Sequence, residues 1–179
     1  MAEIKLVPRS EVDPSITWDM TLLYPNDEAF YAELDKLKKE MKDFKEKEYK
    51  VFEMFDKQWA IVTAGSIEHY NSCTLSWGSF GNIWRSEGKS CPIVTVYVHP
   101  ARYTSEFLKE SDTFTVSFYA EAYRKALGYI GSHSGRDGDK AKAAGLTPVV
   151  MGTGVTYKEA HLTFLCRKLY QHQFSREAL

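Results

Sequence analysis

From Asn26 onward the apolar residues fall on one helical face. Phe30, Leu34, Leu37, Met41 and Phe44 step by four, three, four and three, and Lys36, Lys38, Lys39, Lys42, Lys45 and Lys47 occupy the other faces. Asn26 offers an N-cap and Asp27 and Glu28 a negative first turn, so a helix is expected to start there. Its stripe is read as packing on the chain's own barrel, with a subunit interface as the alternative. From Tyr49 the period shortens. Residues 49–55 and 58–64, separated by Asp56 and Lys57, predict a β-hairpin. Further strands are expected over 70–77, 93–98, 113–119 and 161–170, each rich in β-branched or aromatic residues. Short helices are expected over 105–110, 121–130 and 137–144, the last stopped by Gly145 and Pro148. Strands and long helices do not alternate, so a doubly wound parallel sheet is the weaker reading. The pattern predicts a mainly β, α+β fold with a closed sheet or barrel. It has an N-terminal helical extension over 1–48 and a main domain over 49–179.

Composition narrows this picture. A chain of 179 residues with 44% hydrophobic and 26% charged residues suits one domain with an appendage. A domain of this size buries roughly 70% of its unfolded surface. No apolar run approaches the roughly 20 residues of a membrane span, so no membrane partner is expected. The first ten residues show no continuous apolar core, and the expected compartment is the cytoplasm. A formal net charge of −1 offers no broad footprint for nucleic acid. Cys73, Cys91 and Cys166 are odd in number and widely spaced, which predicts reduced thiols rather than a disulfide framework or a CxxC site. The histidines form no HExxH set, and no GxSxG elbow occurs, so neither a metal site nor a hydrolytic nucleophile is expected.

Three polar segments remain as candidates for one anion-binding site. In the first, Asn71-Ser72-Cys73-Thr74-Leu75-Ser76-Trp77, strand alternation turns Ser72, Thr74 and Ser76 to one side and Asn71 and Cys73 to the other. A flat heteroaromatic ring needs such a row of polar groups along its edge, with an aromatic such as Trp77 nearby; a solvated strand face is the plainer reading. In the second, His99 to Thr104, a strand ends at Pro100 and Thr104 is placed to cap the next helix beside Arg102. An arginine fork there can grip a phosphate, although a capped helix with a surface arginine is commoner. The third, Gly131-Ser132-His133-Ser134-Gly135-Arg136-Asp137-Gly138-Asp139-Lys140, carries the strongest signal. Its glycines allow close approach to an anion, and Asp137 or Asp139 is placed to hold Arg136 or to cap the following helix. His133 is a lone loop histidine, more often solvated than catalytic.

The order of these segments, from Trp59-Ala60-Ile61-Val62-Thr63-Ala64-Gly65 through the SGRD loop to Gly145-Leu146-Thr147-Pro148 and Cys166-Arg167-Lys168-Leu169-Tyr170, resembles the flavin reductase and flavoredoxin family over residues 50–174. The resemblance implies an FMN-binding split barrel, usually a homodimer with the flavin near the subunit interface. By that likeness Asn71, Ser72, Cys73 and Thr74, with Ser76 and Trp77, would line the isoalloxazine. Arg102, Tyr103, Thr104, Ser132, Ser134, Gly135, Arg136 and Lys140 would surround the ribityl phosphate. Cys73 stands where members often carry methionine, and His99 where they often carry arginine. The implied activity is hydride transfer from NAD(P)H to flavin, with no protein acid or base required. The alternatives are an FMN-containing electron carrier that serves a redox protein partner, and a flavin-free binding module on the same barrel.

Overall fold

In the computed structural model, which describes residues 26–46, 49–84 and 88–175, Asn26 caps the first helix as the sequence predicts. Its Oδ1 accepts from the Ala29 amide at 2.8 Å, and helix α1 runs over Asp27–Glu46. Phe30 and Leu34 of the expected stripe are half-buried. Leu37, Met41 and Phe44 lie outside the residues whose side chains are described. The chain divides into two compact units, Met1–Glu48 and Tyr49–Leu179.

The second unit opens with a correction. Residues 49–55 form no strand. The chain instead makes the short helix α2 (Val51–Glu53) and a π-helical turn over Met54–Gln58, with the Glu53 and Met54 amides both donating to the Lys50 carbonyl. The reason lies in burial. Met54 and Phe55 are adjacent and both buried, whereas Val51 and Phe52 are exposed, an order that strand alternation cannot give. Phe55 packs against Phe80 and Phe118, with centroids 5.2 and 5.3 Å away. Trp59, at φ 65°, then turns the chain out of the helical segment, and the Arg124 guanidinium lies 3.3 Å above its ring.

Strand β1 (Ala60–Ser66) pairs antiparallel with β2 (His69–Leu75), setting Thr63 opposite Ser72. β3 (Gly78–Trp84), absent from the sequence reading, pairs with β4 (Ser90–Val96). Helix α3 (Thr104–Glu110) leads into β5 (Thr113–Phe118). A 3-10 turn over Glu121–Tyr123 then leads into α4 (Arg124–Ser132). The one-turn helix α5 (Lys140–Ala143) precedes a second unforeseen hairpin, β6 (Pro148–Met151) with β7 (Gly154–Tyr157), and β8 (Leu162–Arg167) closes the order. The described strands form a four-stranded sheet ordered β2-β1-β5-β8 and two hairpins, with every pairing antiparallel.

Each face of the four-stranded sheet carries a core. On one side Val62, Cys73, Leu75, Val116 and Phe118 join Phe55, Phe107 and Leu108, with Phe80, Val94 and Val96 of the β3–β4 hairpin against them. On the other, Ile61 meets Leu127 and Ile130 of α4, Leu146 and Tyr157. Hydroxyls hold β7 on the second face: Thr115 donates to the Val155 carbonyl at 2.5 Å, and Ser117 and Thr156 pair at 2.8 Å. The three cysteines are free thiols. Among the described residues, no helix is long and apolar enough to cross a membrane.

Candidate functional site

Strand β2 stands at the edge of its sheet, so its outer backbone groups have no strand partner among the described residues. Beyond its C-terminal end lies a pocket of 390 Å³ lined by Cys73, Thr74, Trp77, Tyr97, His99 and Arg102. Trp77 is 63% exposed and Tyr97 45%, so two aromatic faces border an open mouth. The strand edge and these rings suit a flat, heteroatom-rich ligand.

Of the expected row of hydroxyl residues only Thr74 borders that pocket. Ser72 Oγ bridges Thr63 Oγ1 and Tyr157 Oη, each at 2.7 Å, deep in the fold. Thr74 Oγ1 donates to the Leu127 carbonyl at 2.6 Å, which fastens β2 to α4 even though Thr74 borders the pocket. Ser76 is half-buried just beyond the strand. A buried hydroxyl left unpaired costs about 1–3 kcal/mol, so the interior claims these groups first. Cys73 lies in the core at the pocket's floor. Burial pushes its thiol up, against the opposing pull of Thr104, Lys140 and Arg102, so it is a neutral lining group.

The second and third segments do come together. Arg102 Nη1 donates to the Gly131 carbonyl at 2.5 Å, and Arg136 Nη2 bonds Glu106 Oε1 while its guanidinium lies 4.3 Å over the Tyr103 ring. Ser134 Oγ accepts from the Arg136 amide at 3.2 Å and shapes the turn. Gly135 is required here: a Cβ at that position would stand 1.8 Å from Asn71 Nδ2, so the loop rests directly on β2. Asn71 Oδ1 in turn accepts from Thr104 Oγ1 at 2.8 Å. Thr104 therefore does not cap α3 as expected. It is the first helical residue, the N-cap is Tyr103, and its hydroxyl is spent on Asn71.

The expected cap of the helix after the loop is found at Asp139, whereas neither Asp137 nor Asp139 holds Arg136, and the expected placements of Lys140 and Ser132 are corrected. Asp139 caps α5 by accepting from the Lys142 amide at 3.0 Å, and the partner of Arg136 is Glu106, which sequence reading missed. Lys140 is buried, and its Nζ donates to the Ile130 and His133 carbonyls at 3.3 and 3.2 Å. Burial lowers its pKa, and those two bonds tie it to the end of α4 rather than to an open anion site. Ser132 Oγ likewise turns back to the Gly128 carbonyl at 2.9 Å. His133, exposed, stacks on Tyr129 with centroids 3.8 Å apart. A smaller pocket of 230 Å³ lies beyond the loop, between Glu68, His69, Tyr70, Asp139, Lys140 and Tyr157. No local spacing marks Tyr97 or Glu106 as site residues; Tyr97 follows an ordinary strand, and Glu106 reads as a helical surface acid.

Comparison with known proteins resolves the family. The model for the flavin reductase like domain matches residues 52–177. The chain belongs to that family. Among solved structures, the flavoredoxin from Methanosarcina acetivorans is 24% identical, with a TM-score of 0.55 over 65% of this chain and 60% of that one. An FMN-binding protein from Thermus thermophilus is 26% identical, with a TM-score of 0.55 over 65% and 61%. A flavin reductase-like protein with a split barrel domain, from Shewanella frigidimarina, is 18% identical, with a TM-score of 0.53 over 68% and 60%. The chain thus spans about 60% of the length of these structures. A comparison with curated proteins returns no match. The second unit is a split barrel of the flavin reductase like family, and the expected fold class holds.

Proposed function

We propose that this chain binds FMN and passes hydride from NADH or NADPH to flavin in the cytoplasm. The observation that carries the reading is that Arg102, which lines the pocket at the end of β2, and Arg136 both join the 131–136 loop to the start of α3. The residues fit the group. Exposed Trp77 and Tyr97 border the 390 Å³ pocket, the free edge of β2 offers amides and carbonyls, and Cys73 adds no negative charge to the lining. Two guanidiniums set against the single carboxylate of Glu106 leave a net local positive charge in a chain whose overall charge is −1. Bound there, FMN supplies the two-electron acceptor for a nicotinamide hydride. The protein's own contribution is to orient the ring, screen it from water with Trp77 and Tyr97, and grip the phosphate. The working unit is a homodimer, in which exposed Phe52, Trp84 and Tyr170 offer apolar surface to a second copy; sedimentation reads this directly.

The test compares two ligands. Charge-assisted hydrogen bonds contribute about 1.5–3 kcal/mol, so Arg102→Ala or Arg136→Ala should weaken FMN by roughly ten- to a hundredfold. Riboflavin, which has the same ring and no phosphate, should change little. Equal weakening of both ligands, or unchanged FMN affinity in both variants, removes the arginines from the site. Continuous NAD(P)H oxidation with free flavin identifies a reductase. A single stoichiometric reduction identifies instead a carrier like the flavoredoxins among the structural relatives.

A further inference from the structure

Two arginines tie the 131–136 loop to the start of α3, and they run in opposite directions. Arg102 reaches from the α3 side to the Gly131 carbonyl, and Arg136 reaches back from the loop to Tyr103 and Glu106. We propose that Glu106 is a positioning residue that presets the Arg136 guanidinium for the phosphate of FMN, an inference that rests on the flavin reading above. The geometry carries it in three steps. First, Tyr103 and Glu106 are three residues apart at the start of one helix, so ring and carboxylate sit on the same face and meet one guanidinium together. Tyr103 is itself held edge-on by Phe107, with centroids 5.0 Å apart. Second, the carboxylate takes Nη2, so Nε and Nη1 of a five-donor fork remain for a second anion. Third, the side chains of the pair are 48% and 55% exposed. A pair so open to water adds little to folding, so its consequence is the direction in which Arg136 points.

A carboxylate beside a phosphate also repels it, and the two effects have opposite signs. If presetting wins, losing the carboxylate weakens FMN; if repulsion wins, losing it strengthens FMN. The ring beneath and the carboxylate at one corner both restrict a side chain that otherwise has many rotamers, and this favours presetting.

A double-mutant cycle decides it, with FMN and riboflavin affinities measured for the wild type, Glu106→Gln, Arg136→Ala and the double variant. Glu106→Gln should weaken FMN about tenfold, leave riboflavin unchanged, and have no further effect once Arg136 is alanine. Stronger FMN binding in Glu106→Gln overturns the proposal in favour of repulsion. Equal loss of both ligands makes the pair merely structural, and an undiminished loss in the Arg136→Ala background shows that Glu106 does not act through Arg136. A wild type with no preference for FMN over riboflavin sinks the phosphate reading itself, whatever Glu106 does.

Discussion

On one face of β2, Ser72 and Thr74 spend their hydroxyls on Thr63, Tyr157 and the Leu127 carbonyl. On the other, Asn71 looks to Thr104 and the Gly135 turn, and Cys73 floors the pocket. Both faces alternate small polar residues, and they do different work. The hydroxyl-rich face holds the split barrel to its covering elements, whereas the amide of the other face seats the 131–136 loop and the start of α3, and the candidate pocket is bordered by Thr74 of the first face and Cys73 of the second. Polarity in a strand therefore does not mark a ligand surface; what matters is whether the hydroxyl finds a partner inside the fold.

The largest test of this contrast is Ser72→Ala. It leaves the buried hydroxyls of Thr63 and Tyr157 without the group that bridges them, so the loss should be about 2–3 kcal/mol in urea denaturation. FMN affinity should stay within about twofold, because Ser72 does not line the 390 Å³ pocket and its hydroxyl is bonded to Thr63 and Tyr157. A variant of normal stability that no longer holds flavin would reverse the assignment of the two faces. On the pocket side Gly135→Ala is the counterpart. Its methyl collides with Asn71 Nδ2, so Asn71 or the loop must move, and Arg136 moves with the loop. FMN should weaken about tenfold, equivalent to about 1.4 kcal/mol, with a smaller change in folding. Unchanged FMN affinity would show that the seating of the loop on β2 does not matter to the ligand.

Legibility from sequence followed the range of the interactions. β1 and β2 could be read because a run of strand-favouring residues between turn signals is a local property, and the start of α1 because Asn26 and the Ala29 amide are neighbours. The 49–55 segment was misread because Tyr, Val and Phe favour strands, whereas the fold buries adjacent Met54 and Phe55 on a helical turn. β3 was hidden by its glycines. Gly78 is there because a Cβ would come within 2.7 Å of the Phe55 ring. β7 was hidden because all four of its residues are buried, leaving no alternation to see. For the candidate site, Arg102, Gly135 and Arg136 stand out in the sequence because loop glycines and cations are a local signal. Glu106 was not, since its partner lies 30 positions away, and neither was the use of Ser72 by Tyr157, 85 positions downstream. A single sequence does not show such pairings.

The smallest effect concerns the hydroxyl face alone and separates it from the pocket by pH. Tyr157 is buried at 2% exposure with its hydroxyl on Ser72, and burial holds its phenol pKa well above the ordinary value. Because the folded value is the higher one, Tyr157 contributes stability that is intact below the unfolded value of about 10. Above that pH the unfolded chain sheds the proton and the folded chain keeps it, so stability falls with rising pH. Each unit of that window costs at most about 1.4 kcal/mol. Tyr157→Phe removes the titrating group and one hydrogen bond, while Ser72 keeps Thr63. At pH 8 the variant should be less stable by about 1 kcal/mol. Past about pH 10 its curve should fall less steeply than that of the wild type, and the gap should close, since Tyr70 and Tyr119 titrate in both proteins. Urea melts at pH 8 and in the alkaline range measure both quantities. Parallel curves would mean that Tyr157 ionises as readily folded as unfolded, and the buried hydroxyl chain from Thr63 to Tyr157 would then be open to water.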